Sequence, residues 1–137
     1  MIENLTAVEF TPWCPWYERW AVNCRESPGV YLLAVGVGAG DEVDILDGRI
    51  IYIGQTSREL DRRWRYFEEA AEGREASHSG GRRFRHHHLS LTDLSVAAWA
   101  PGIVDKHLRE AYVRYVERRL LLEWVMKHNT LPLCNGE

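Results

Sequence analysis

Cysteine is scarce and scattered. Cys14, Cys24 and Cys134 are the three in 137 residues. Their odd number and wide spacing argue against a disulfide framework, and without CxxC-type spacing a zinc site built on Cys14, Cys24 and a histidine is disfavoured. Long apolar runs are also missing, so no segment is expected to span a bilayer. No basic-then-apolar stretch opens the sequence as an export signal would. These absences together predict reduced thiols and a cytoplasmic protein that does not engage membranes. Nor is there an excess of positive charge. The 17 Lys and Arg residues against 20 Asp and Glu leave a net charge of −3, which argues against a polycation that coats nucleic acid without specificity. Internal repeats and low-complexity segments are absent as well.

What is present is the composition of a single globular domain. Apolar residues make up 45% of the chain and charged residues 27%, enough to bury a core without metal or disulfide staples. The charge is unevenly placed. Residues 82–88 read Arg-Arg-Phe-Arg-His-His-His, basic with an aromatic inside, while Asp41, Glu42, Asp44 and Asp47 gather the acidic excess.

Residues 1–27 hold Trp13, Trp16 and Trp20 with interspersed prolines, and are expected to form a turn or short helix packed on the domain that occupies 28–137. Pro28-Gly29 breaks the chain before a strand over 30–37. A Gly- and Asp-rich loop over 38–48 leads to a second strand over 49–54, so the two form an antiparallel pair. Leu60, Trp64, Phe67 and Ala71 recur at three- and four-residue spacing. They predict a helix from about 59 to 71, capped by Ser57 and ended by Gly73. A polar loop over 74–88, a third strand over 94–100, a long helix over 105–127 and a coiled tail complete the order. The predicted class is α+β, with a three-stranded, mostly antiparallel sheet flanked by helices.

Several residues break the pattern around them. Arg62 lies about 200° around its helix from Leu60 and faces solvent. Arg63 instead borders the apolar stripe, either as a snorkelling side chain paired with Glu59 or as a held cation. Glu117 has Val113 before it and Leu120, Leu121 and Trp124 after it at helical spacing. A carboxylate there is costly unless it is paired, bound to a metal or placed at a cleft mouth. Glu123, between Arg119 and Lys127, belongs to a solvent-facing charge ladder. Two short motifs pair glycine with tyrosine on strand-like runs: Gly29-Val30-Tyr31 and Tyr52-Ile53-Gly54. Neighbouring strands would bring the two phenols together, and Gly29 and Gly54 would leave room for a bulky ligand such as a nucleic-acid backbone. His107 and His128 read as helix-surface residues. The His86–His88 run reads as incidental, and His78 lies in a loop able to approach a ligand.

In this order these residues resemble the GIY-YIG nuclease superfamily. Gly29-Val30-Tyr31 and Tyr52-Ile53-Gly54 stand for the two motifs. Arg63 precedes Trp64 on the following helix, Glu117 precedes Leu120 and Leu121 on a later one, and Pro132 precedes Asn135. The resemblance covers about residues 28–135. Between Tyr31 and Tyr52 lie 20 residues. The excess over the family's spacing falls in the loop 36–48 and implies a longer hairpin turn that keeps the tyrosines adjacent.

The resemblance implies metal-dependent cleavage of DNA phosphodiesters with one divalent ion, Mg²⁺ or Mn²⁺. It implies that Tyr31 acts as general base or water-positioning group and that Tyr52 supports the water or the scissile phosphate. Arg63 would stabilise phosphate charge, Glu117 would ligate the metal, and Asn135 would help shape the site. The family often has a histidine or tyrosine four residues after the arginine. Phe67 stands there, so Tyr66 or His78 would supply that group. Arg82, Arg83 and Arg85 would contact DNA, and a lone domain would have limited specificity, a structure-selective substrate or a separate specificity partner. Two alternatives have their own motivation. The basic run suits a nucleic-acid-binding module without turnover, and Trp13, Trp16 and Trp20 suit a protein-interaction face.

Overall fold

The computed structural model describes residues 8–74 and 78–136. They form an α+β fold in which an antiparallel sheet carries helices on both faces. In chain order the elements are β1 (Cys14–Pro15), a 3-10 helix (Trp16–Ala21), β2 (Gly29–Val35), β3 (Ile50–Thr56), α1 (Leu60–Ala71), α2 (Ser79–His86), β4 (Leu94–Trp99) and α3 (Lys106–His128). The sheet order is β1-β4-β2-β3. It therefore has four strands rather than the three read from the sequence. The addition is β1, two residues of the tryptophan-rich segment that set Cys14 opposite Val96. Its Pro15 is tolerated because β1 lies at the sheet edge, where a missing N–H costs no ladder bond.

Central β2 is apolar on both faces because both are covered. Tyr31 and Leu33 meet Trp16, Trp64, Phe67 and Phe84 on one side. Val30, Leu32 and Ala34 meet Val113, Val116, Leu120 and Trp124 of α3 on the other. A bulge interrupts the β2–β3 ladder between Leu33 and Ala34, which pair with Tyr52 and Ile50 respectively. The extra residue, Ile51, joins Tyr52 on the α1 side, while Ile50 and Ile53 serve the α3 side. Bulges of this kind turn a side chain that regular alternation would send elsewhere.

The helix ends depart from the sequence reading in two ways. Ser57 does not cap α1. The cap position is Glu59, with no side-chain bond, and the first amides are satisfied from outside. Leu60 donates to the Ser27 carbonyl at 3.0 Å and Asp61 to that of Arg25 at 2.7 Å. Residues 74–88, read as a loop, contain the two-turn helix α2. Gly80 and Gly81, its second and third residues, are buried where the helix approaches its neighbours. A Cβ on Gly81 would lie 2.6 Å from the Phe67 carbonyl oxygen and 2.7 Å from the Ala70 Cβ. The missing side chain of Gly81 is therefore a packing requirement between α1 and α2, and that of Gly80 one between α2 and the Tyr52 ring.

The long hairpin loop is anchored at several points. Trp124 Nε1 donates to the Asp47 carbonyl at 3.1 Å, and His128 Nε2 lies 2.7 Å from the Leu46 carbonyl. His128 is thus a half-buried tie between α3 and the loop, not the free surface residue its sequence context suggests. The tryptophan-rich segment is largely core. Trp13 and Trp16 are buried and Trp20 alone of the three is exposed, at 71%, which removes most of the aromatic face that a protein-interaction role would use. No helix among the described residues is long and apolar enough to cross a membrane.

Candidate active site

The antiparallel register sets Tyr31 opposite Gly54 and Leu33 opposite Tyr52. The two tyrosines are therefore diagonal neighbours on one face, within reach of each other's rings. Their centroids lie 5.8 Å apart, so the longer loop leaves them adjacent. Gly54 permits this closeness. A Cβ there would stand 2.9 Å from Tyr31 Cζ and would overlap the Tyr52 ring. The space beside Gly54 is filled by the phenols, and that beside Gly29 by the Trp99 backbone. Neither glycine leaves the room for a ligand that the sequence reading gave it.

α1 and α2 close over this pair. Trp64 meets Tyr31 edge-on at 6.2 Å between centroids. His78 lies 5.5 Å from the Tyr52 ring and 5.3 Å from that of Phe67, again between centroids. His78 Nε2 is 2.9 Å from Tyr31 Oη. It is not on a loop facing solvent but is fully buried at the N-cap of α2. Arg63 is half-buried and has no ion pair with Glu59. Its charge instead favours the phenolate of both Tyr31 and Tyr52. Burial outweighs it, so both phenols are pushed above the ordinary tyrosine value, Tyr31 furthest. Burial first, then the charges of Arg63 and Arg82, hold His78 down at about 3.

Glu117 approaches from α3. Its side chain is 15% exposed, and its ion partner is the mostly exposed Arg118 at 3.6 Å. Burial raises the carboxyl above its usual range. Its charge opposes ionisation of Tyr52, which places the two in one electrostatic neighbourhood. Glu123 bonds Arg119 Nε at 2.8 Å along the outer face of α3, as its ladder pattern predicts. No group of three or more His, Cys, Asp or Glu side chains is arranged to hold a metal among the described residues.

The remaining candidates separate. Asn135 accepts from the Ile53 amide at 2.9 Å and donates to the Ile53 carbonyl at 3.0 Å. It clamps the strand that carries Tyr52. Asn135→Ala should cost about 1–3 kcal/mol through the unpaired Ile53 groups, seen as a lower urea midpoint. An unchanged midpoint would show that the clamp carries no stability. Arg83 parts from Arg82 and Arg85, which together line a cavity of about 710 Å³ beside Gly73. Arg82 acts on His78, Arg83 lies against Gly136, and Arg85 fills the space beside Gly73. Tyr66 is on the outer side of α1, where its hydroxyl accepts from Arg62 Nε at 3.0 Å. His78 rather than Tyr66 therefore meets the tyrosine pair.

Sequence reasoning passed over Arg58. With Arg62, Arg63 and Tyr66 it lines a cleft of about 440 Å³ beginning at Gln55. Its spacing of four residues from Arg62 was the available signal. Arg19, Arg25, Arg49, Arg74, Arg118 and Arg119 each pair with a carboxylate. Among the described residues the other nine arginines form no ion pair: Arg58, Arg62, Arg63 and Arg65 lie at α1, Arg82, Arg83 and Arg85 on α2, and Arg109 and Arg114 on α3. No protein-family model, no curated protein and no solved structure matches the chain.

Proposed function

We propose that this protein is a metal-dependent DNA endonuclease with a GIY-YIG-like site. The observation that supports the reading best is the meeting of Tyr31, Tyr52 and Arg63, from β2, β3 and α1, within the electrostatic reach of Glu117. Phosphodiester hydrolysis needs a placed water, stabilisation of charge on the phosphoryl oxygens and neutralisation of the leaving oxyanion. The tyrosine pair holds the water. Arg63 donates to the non-bridging oxygens through its planar fork. Glu117 suits a Mg²⁺ or Mn²⁺ ion bound by one carboxylate and completed by water and substrate oxygens, because it is desolvated and its cationic partner is solvated. Such an ion, when bound, supplies the charge that neutralises the leaving oxygen. The unpaired arginines of the adjoining cleft suit the neighbouring phosphates, although the whole chain is acidic.

Incubation with supercoiled plasmid, branched duplex and single-stranded DNA, with Mg²⁺ or Mn²⁺, tests this reading. Cleavage of at least one substrate is expected, with Arg63→Ala slower by about 10²–10³-fold, the scale of losing one donor to transition-state charge. Absence of cleavage with either metal, or wild-type rates in Arg63→Ala, would overturn it. The second reading, a DNA-binding module without turnover, draws on the unpaired arginines. It predicts retention that falls with salt and with the loss of Arg58 and Arg62, but no cut strands.

A further inference from the structure

We infer that His78 is a positioning residue, a helix cap whose fixed tautomer makes Tyr31 a hydrogen-bond donor to the site and leaves Tyr52 as the phenol that serves water. The chemical half of this rests on the nuclease reading, whereas the hydrogen-bond half does not. His78 Nδ1 accepts the Gly81 amide at 3.2 Å, so that nitrogen carries no proton. The ring is kept neutral by burial between two arginine charges, and its single N–H is therefore on Nε2. That nitrogen is 2.9 Å from Tyr31 Oη, so His78 donates and Tyr31 accepts. An Nε2 that already holds a proton cannot take one from Tyr31, which excludes a Tyr31–His78 pair as the base.

The hydroxyl proton of Tyr31 must then point elsewhere. Its polar neighbours are Arg63, which has donors only, and Tyr52, which has an oxygen to offer. The mutual effect of the phenols agrees: their contact holds the proton on Tyr31 and eases ionisation of Tyr52. Exposure divides them the same way, since Tyr31 is fully buried and Tyr52 is not. The resemblance implied that Tyr31 acts as general base or water-positioning group; here the helix cap reserves that oxygen.

The test uses the full chain, ¹⁵N-labelled, with His78→Asn, Tyr31→Phe, their double variant and Tyr52→Phe. Asparagine keeps a capping oxygen for Gly81, but with that oxygen on the Gly81 amide its shorter side chain does not bring the NH2 to the position of Nε2 beside Tyr31. Long-range ¹H–¹⁵N spectra should show His78 as the neutral Nε2–H tautomer from pH 8 to pH 4.5. His78→Asn should lower kcat about tenfold with KM unchanged, and should add nothing in the Tyr31→Phe background. Tyr52→Phe should lose more than Tyr31→Phe, about 10²-fold or beyond. An Nδ1–H tautomer, an imidazolium at pH 7, additive losses, or a larger loss for Tyr31→Phe would each overturn the inference. The tautomer needs no substrate. If the wild-type chain cuts no DNA, the nuclease reading falls, and the spectra still decide the assignment of His78.

Discussion

Glu117→Gln should abolish metal-dependent cleavage, by about 10³-fold, the scale of losing a group that offsets transition-state charge, while leaving the fold as stable or more so. The second half follows from the surroundings of the carboxylate. It is largely buried, raised above its usual pKa by that burial, and accompanied by one exposed arginine. Folding therefore disfavours its ionised form, and the neutral amide removes that cost. The pH sign is fixed by the same shift. Because the folded value lies above the unfolded one, this residue does not penalise stability at pH below the unfolded value near 4.5. The penalty appears as pH rises through the folded value. Thermal unfolding of both proteins at pH 4 and pH 8 should show the variant gaining on the wild type at pH 8. Retained cleavage would remove Glu117 from the metal site. A variant destabilised at pH 8 would instead identify the carboxylate as a structural ion pair.

Gly81→Ala should destabilise the protein by about 1–3 kcal/mol, the usual cost of overpacking, and should damage the site as well. The added methyl would approach the Phe67 carbonyl and the Ala70 Cβ. A carbonyl within α1 cannot swing aside as a flexible side chain would. α2 must therefore move away from α1, and it carries His78 at its cap and Gly80 against the Tyr52 ring. Urea unfolding checks the stability, and the ring-contact shifts of Tyr31 and Tyr52 in NMR spectra check the displacement. A variant with wild-type stability and unchanged tyrosine shifts would show that the α1–α2 contact is softer than its distances imply. Gly54→Ala, by contrast, meets the movable rings of Tyr31 and Tyr52 first.

How far the sequence reveals this arrangement depends on the range of each interaction. β2, β3 and β4 are apolar, β-leaning runs bounded by Gly and Pro breakers, α1 has a helical apolar stripe, and these four and α3 lie within a few residues of where the sequence reading puts them. The adjacency of Tyr31 and Tyr52 follows from hairpin logic, since the loop between them does not change the register. α2 was hidden because Gly80-Gly81 mimics a turn, when the glycines are demanded by neighbours distant in sequence. The basic run misled for a related reason. In a chain with no assumed helix, Arg82, Arg83 and Arg85 look like one patch, whereas the helix turns Arg83 about 100° away from Arg82 and leaves Arg82 and Arg85 on one face. His78 met Tyr31 across 47 residues, and no local spacing announces such a contact. Glu117 was visible because a carboxylate within an apolar stripe violates its own element's pattern.

The segment after α3 gives β3 a second neighbour. Cys134 donates its amide to the Ile51 carbonyl at 2.7 Å, and Asn135 clamps Ile53 through its side chain. These contacts pair backbone groups of an edge strand that would otherwise offer its outer side to any extended peptide. Until residues 134 and 135 have been synthesised and docked, that side of Ile51 and Ile53 is an open template for intermolecular pairing. Loss of residues 134 and 135 would then be felt first in solubility during production, through strands added between molecules, before any effect on the chemistry of Tyr52, one residue away.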